Sequence, residues 1–142
     1  MNEVVADIFA ACNAYAKYEQ EPQGRDFWQT PDELKASGAG DCEDFAIAYW
    51  RRLKDAGLPA RLAWCFRQDT RRRSHMVCLC MDDDPWVLDV AVDAVCRLSE
   101  RPDLEVIMEL DADGVHVGGA VKPVKLIPEW AGVLARMEAK WT

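Results

Sequence analysis

The sequence predicts an α+β domain with an antiparallel sheet. Helical stretches with apolar residues three and four apart open and close the chain, and the runs that read as strands, bounded by turn formers, are grouped together between them. Near the start of the chain, Gly38-Ala39-Gly40-Asp41 leads into a helix with Cys42 in its first turn.

Val4, Val5, Ile8, Phe9, Cys12, Tyr15 and Ala16 give a helix over about residues 3–18 one buried face. Glu19 to Asp26 reads as loop, because Pro22 and Gly24 break regular structure. Thr30 is suited to cap a helix, with Pro31 at its first position and Glu33 at its third, so a short helix over 31–37 should end at Gly38. The second principal helix runs from Cys42 to about Ala56. Phe45, Ala46, Tyr49, Trp50 and Leu53 form its apolar stripe, Arg51, Arg52 and Lys54 suit its C-terminal end, and Gly57 is its C-cap.

Ala60 to Arg67 reads as a strand and Gln68 to Ser74 as a polar loop, whose Arg71-Arg72-Arg73 is a solvated tip or a patch for an acidic partner. His75 to Met81 and Trp86 to Val90 form a hairpin across Asp82-Asp83-Asp84-Pro85. Ala91 to Leu98 fits either a helical stripe or irregular edge structure. Leu104 to Leu110 and Val115 to Val117 form a further hairpin around Asp111-Ala112-Asp113-Gly114. Pro128 to Lys140, with Trp130, Val133, Leu134, Met137 and Trp141, is a closing amphipathic helix with a core-facing stripe.

Residues 1–142 form one domain, of a size that buries about two-thirds of the surface its unfolded chain exposes. A net charge of -8 argues against binding nucleic acid or anionic membrane, since both rest on excess lysine and arginine. No stretch is long and apolar enough to span a bilayer, and Met1 to Asp7 lacks the pattern of a secretion leader, so a cytoplasmic location is expected. The six cysteines read as reduced thiols, with Cys65, Cys78 and Cys80 buried and inert. His75 and the pair Cys78 and Cys80 point to opposite faces of a strand, so they do not converge on a zinc ion.

Cys42 reads as a nucleophile, because free backbone N–H groups and the dipole at a helix start favour a thiolate. Asp41, Glu43 and Asp44 oppose that ionisation in the same turn, and a divalent cation held by carboxylate oxygens, calcium above all, would offset them. Asp41 as an N-cap and acids suited to the helix dipole account for the same residues without metal.

Trp28, Thr30-Pro31, Gly38-Ala39-Gly40-Asp41-Cys42-Glu43-Asp44-Phe45-Ala46-Ile47-Ala48, Leu53, Gly57, His75-Met76-Val77 and Leu88-Asp89 together form a pattern, extended by Arg101-Pro102-Asp103 and Asp113-Gly114. It resembles the bacterial transglutaminase-like cysteine peptidases, a group that includes a calcium-dependent periplasmic protease acting on surface adhesins. The resemblance implies a papain-like core, a protein or peptide substrate, and a triad of Cys42 as nucleophile, His75 as general base and acid, and Asp89 orienting His75. It also implies that Asp41 and Glu43 are calcium ligands. Val90 stands where that family usually has asparagine. Amide transfer or deamidation by the same triad, and a catalytically silent protein-binding module, are the alternative readings. His116 is a second candidate base, and Trp28 either lines the cleft or belongs to the core.

The triad places a demand on the hairpin. Met81 paired directly with Trp86 would put His75 and Asp89 on opposite faces, whereas Val77 opposite Asp89 puts His75, Val77, Leu79, Val87 and Asp89 on one face. Met76, Cys78, Cys80, Trp86 and Leu88 then share the other face.

Overall fold

In the computed structural model, which describes residues 2–20, 27–68 and 73–139, the chain runs α1 (Asn2–Asn13), β1 (Lys17–Tyr18), α2 (Pro31–Ser37), β2 (Ala39–Gly40), α3 (Cys42–Asp55), β3 (Ala60–Arg67) and β4 (Arg73–Cys80). It continues through β5 (Trp86–Leu88), β6 (Cys96–Arg97), β7 (Leu104–Asp111), β8 (Gly114–Val117), β9 (Ala120–Lys122) and α4 (Pro128–Ala139). Among the described residues, seven strands form an antiparallel sheet in the order β6-β5-β4-β3-β7-β8-β9, and β1 and β2 form a separate parallel pair. The expected α+β class is borne out.

The sheet has two buried faces. On one, Leu62, Met76, Cys78, Cys80, Leu88 and Leu110 pack with the helical residues Val5, Phe9, Phe45, Tyr49, Trp50 and Trp130. Trp130 is fully buried, meets Trp50 edge to face at 5.1 Å and donates its indole N–H to the Asp111 carbonyl at 3.0 Å. A buried aromatic side chain of this kind contributes about 1.5–3 kcal/mol, and it anchors α4 as core. The other face carries Ala63, Cys65, Val77, Leu79 and Val87, with Leu98 packed against them. Leu98 lies on the connection from β6, at the sheet edge, to β7 beside β3.

The hairpin register is the one the sequence demands. Cys78 stands opposite Leu88, Leu79 opposite Val87 and Cys80 opposite Trp86, a frame that sets Val77 against Asp89. Met76, Cys78, Cys80 and Leu88 are buried on the helix side, with Trp86 packed against them, while Val77, Leu79 and Val87 are buried on the other. The five residues 81–85 form the odd-length connection.

Several boundaries differ from expectation. The first helix stops at Asn13 instead of continuing to about residue 18. Lys17 N–H donates to the Gly38 carbonyl at 2.9 Å and Glu19 N–H to the Gly40 carbonyl at 2.7 Å, so pairing with the segment before α3 replaces helix propagation. Arg73 and Ser74, expected in a loop, begin β4, and residues 69–72 of that loop lie outside the described ones. β5 ends at Leu88, which leaves Asp89 just beyond it. Residues 91–98 resolve into a turn, β6 and the start of a 3-10 turn over Leu98–Glu100, so the edge reading holds. β9 had no expectation, because all three of its residues are exposed and carry no apolar alternation. Ala56 caps α3, and Gly57, with φ +78°, follows it in the left-handed region. Residues 21–26, Lys140 and Trp141 lie outside the described residues.

The approach to α3 is built as the sequence predicts. Thr30 and Glu33 form a reciprocal capping box on α2, and Gly38, at φ 76°, ends that helix. Gly40 follows under tighter constraint, since a Cβ there would lie 2.4 Å from Leu34 Cδ1 and 3.0 Å from the Asp44 side chain. Gly40→Ala is expected to lower the unfolding free energy by about 1–3 kcal/mol, the range for overpacking a filled site. Urea denaturation monitored by tryptophan fluorescence measures it.

Candidate active site

Asp41 is the N-cap of α3. Its carboxylate accepts from the Asp44 backbone N–H at 3.4 Å, and the Asp44 carboxylate accepts from the Asp41 N–H at 3.0 Å. Asp44, fully buried, also takes the Gln29 backbone N–H at 2.8 Å and the Gln29 side-chain amide at 3.1 Å. It therefore ties the segment before α2 to the start of α3, a role that spacing alone did not reveal, since Asp44 read simply as one acid of a crowded turn. Trp28 is 2% exposed and stacks on Trp64 at 6.2 Å, which settles its reading as core.

Cys42 occupies the first position of α3, and its Sγ lies 3.6 Å from Glu43 Oε2. β5 pairs with β4 only along Cys78–Cys80, which leaves the edge of β4 open at His75 and Met76. The Cys42 sulfur lies there, within hydrogen-bonding reach of the Met76 backbone N–H. Burial raises the Cys42 thiol far above the ordinary range, the Glu43 and Asp41 carboxylates raise it further, and the Met76 N–H opposes them. The helix terminus was expected to favour a thiolate. Desolvation and two carboxylates outweigh it, because a terminal dipole is equivalent to only about half a charge.

His75 and Asp89 meet on the same side of the hairpin. His75 Nε2 lies 2.7 Å from Asp89 Oδ1, in a contact where His75 is 6% exposed and Asp89 0%. The Ala91 backbone N–H donates to the same oxygen at 3.0 Å. Asp89 Oδ2 faces Arg101 Nη1 at 3.0 Å, off the angle of an aligned hydrogen bond, so that contact is mainly one of charge. Burial alone would raise the Asp89 carboxyl, yet His75, the Ala91 N–H and Arg101 together hold it below its ordinary value. Arg101-Pro102-Asp103 was legible as part of a motif; that Arg101 reaches Asp89 was not, since the two are twelve positions apart and joined only by the fold.

The remaining candidates fall elsewhere. His116, on β8, pairs with Asp113 at 2.9 Å, away from Cys42 and Asp89. Cys12, Cys65, Cys78 and Cys80 are buried free thiols that burial pushes up, Cys12 to about 11. The inert reading of Cys65, Cys78 and Cys80 agrees with that burial. Tyr18 stands close enough to the site for Cys42, Asp41, Asp89 and Glu43 all to raise its phenol, after burial.

The profile of the transglutaminase-like superfamily matches residues 2–93. The chain belongs to the transglutaminase-like superfamily. The matched segment of this superfamily member contains Cys42, His75 and Asp89, and the resemblance read around Cys42 is borne out in family and fold. Its structure is similar to EGTA-treated LapG of Legionella pneumophila, with a TM-score of 0.85 and 26% identity over 95% of this chain and 78% of that one. It is also similar to calcium-bound LapG of the same organism, with a TM-score of 0.80 and 27% identity over 95% of this chain and 79% of that one. No curated protein matches the chain.

Burial first, then the neighbouring Glu43 carboxyl, raise Asp41 from 3.8 to about 7. Because the folded value is the higher one, ionising Asp41 destabilises the fold progressively as pH rises from about 4 through about 7. Asp41→Asn, which keeps a good N-cap, is expected in chelator to melt above the parent at pH 8, with the difference closing as pH falls to 4. Scanning calorimetry across that range measures the gap.

Proposed function

We propose that this transglutaminase-like chain is a cysteine peptidase that hydrolyses a peptide bond in a protein substrate. The observation that carries the reading is the buried His75–Asp89 contact at 2.7 Å, one residue from the Met76 N–H that the Cys42 sulfur approaches. Asp89 engages Nε2 of the ring, which leaves Nδ1 as the nitrogen to exchange a proton with the thiol.

In this reading His75 takes the Cys42 proton, and the sulfur attacks the substrate carbonyl carbon. The imidazolium then protonates the departing amine, which leaves an acyl-thioester on Cys42. His75 next takes a proton from water, whose oxygen attacks the thioester and releases the acid and the free thiol. Asp89 keeps the ring oriented and stabilises its charged form throughout.

Calcium is part of the proposal. Asp41 and Glu43 offer hard oxygen donors, and a cation would offset the repulsion between two neighbouring acids. LapG, to which the chain is structurally similar, has a calcium-bound form. Among the described residues no group of three or more His, Cys, Asp or Glu side chains converges as a metal site, so backbone carbonyls and water would complete the shell. Bound calcium would offset the Glu43 and Asp41 carboxylates, which add to burial in raising the Cys42 thiol.

Alkylation of each cysteine, followed by peptide mass spectrometry across pH, tests the reading. Cys42 is expected to react faster than the other five cysteines in calcium, most clearly at low pH, to slow in chelator and to lose its advantage in His75→Ala. Cys42 behaving like its five neighbours under every condition would overturn the nucleophile assignment. Cys42→Ala should lower peptide cleavage by about a thousandfold or more.

A further inference from the structure

We infer that Arg101, held in place by Asp103, is a positioning residue that keeps Asp89 ionised and aimed at His75 through both halves of the reaction. The inference rests on the Cys42, His75 and Asp89 reading and adds to it a group that touches neither thiol nor substrate.

The geometry is specific to a guanidinium. Arg101 Nε and Nη2 donate to the two carboxylate oxygens of Asp103, each at 3.0 Å, which leaves Nη1 facing Asp89 Oδ2 at 3.0 Å. Three nitrogens of one planar group thus serve two carboxylates, a task for which a lysine ammonium lacks the fork. The Arg101 side chain is 10% exposed and Asp103 24%, so the outer partner lies nearer solvent than the charge it supports. Backbone contacts steady the segment: the Arg101 N–H donates to the Leu98 carbonyl at 2.9 Å and the Gln68 N–H to the Asp103 carbonyl at 2.8 Å.

The chemistry explains the need. In a Cys–His–Asp reaction the imidazole is neutral before the thiol ionises and charged afterwards, while the carboxylate must remain ionised in both states. Asp89 is wholly buried, and a neutral imidazole does not balance its charge. Arg101 supplies that balance, and with imidazolium present the row Asp103, Arg101, Asp89, His75 alternates in sign and sums to zero. Neighbouring titratable groups do not substitute for it: Cys65, Cys96, Tyr18 and Tyr49 lie near enough to sense Asp89, but burial pushes each towards its neutral form.

The test uses the full chain with two readouts, one independent of turnover. The chain has two histidines, so 15N-histidine NMR separates His75 from His116 once a His116→Gln variant assigns them. In the parent the His75 Nε2–H proton should be slow to exchange and shifted downfield by its bond to Asp89. Arg101→Gln is expected to lose that resonance, to lower kcat for peptide cleavage at least tenfold with KM little changed, and to move the acid limb of the rate profile to higher pH as Asp89 becomes easier to protonate. Arg101→Lys should recover part of kcat. Asp103→Asn touches Arg101 without touching Asp89 and covers the case in which Arg101→Gln does not fold; by releasing the Nε and Nη2 anchor it should weaken the His75 resonance and lower kcat by a smaller amount. The inference is overturned if the folded variants melt lower yet keep the parent's His75 resonance, kcat and acid limb, the outcome of a merely structural role. If the parent cleaves no peptide, the peptidase reading fails on its own, and the His75 resonance in Asp103→Asn and Arg101→Gln still decides whether Arg101 holds the pair.

Discussion

A buried carboxylate sets the terms for this structure. Asp89 has no exposed surface, and a charge so placed is tolerated only when donors surround it. Those donors come from three separate parts of the chain: His75 from β4, the Ala91 N–H from the turn after β5, and Arg101 from the crossover that leads into β7. The register of the β4–β5 hairpin, the early end of β5 and the path of the crossover all converge on that one group.

Parity is what makes the convergence possible. In a strand, one residue of slip carries every side chain to the other face, so the five-residue connection between β4 and β5 decides whether His75 and Asp89 share a side. Because β5 stops at Leu88, the backbone N–H of Met76 is left for the sulfur of Cys42 instead of a neighbouring strand. The same loss of sheet pairing that shortens β5 thus opens the place where α3 delivers its first residue.

At that first residue, position and environment oppose each other. The start of α3 favours an anion, and Asp41 and Asp44 satisfy that preference through their reciprocal cap. Cys42 stands between the acids and is half-buried, and both conditions raise its thiol. The cap and Gln29 account for Asp44 in full, since its oxygens receive the Asp41 N–H that closes the box and two N–H donors from Gln29. It does not account for Glu43, whose proximity raises both Asp41 and Cys42.

Much of this was legible from residue order alone. Helix caps at Thr30 and Asp41, the stop at Gly38, the alternation along residues 75–80 and the turn formers at 82–85 are local signals, and each produced the element expected of it. The motif around Cys42 carried the family, and the hairpin register followed from requiring one face for His75 and Asp89. Where long-range pairing decided the outcome, the sequence was silent. α1 ends early because residues 17–19 pair with 38–40, and β9 exists through its hydrogen bonds to β8 without a buried face of its own. The sequence by itself determined the caps and the strand parity, since these depend on neighbours a few positions away. Only the tertiary structure decided that Arg101 lies against Asp89, that Asp44 binds Gln29 and that desolvation raises the Cys42 thiol, because contact across the fold and removal from water have no signature in local order.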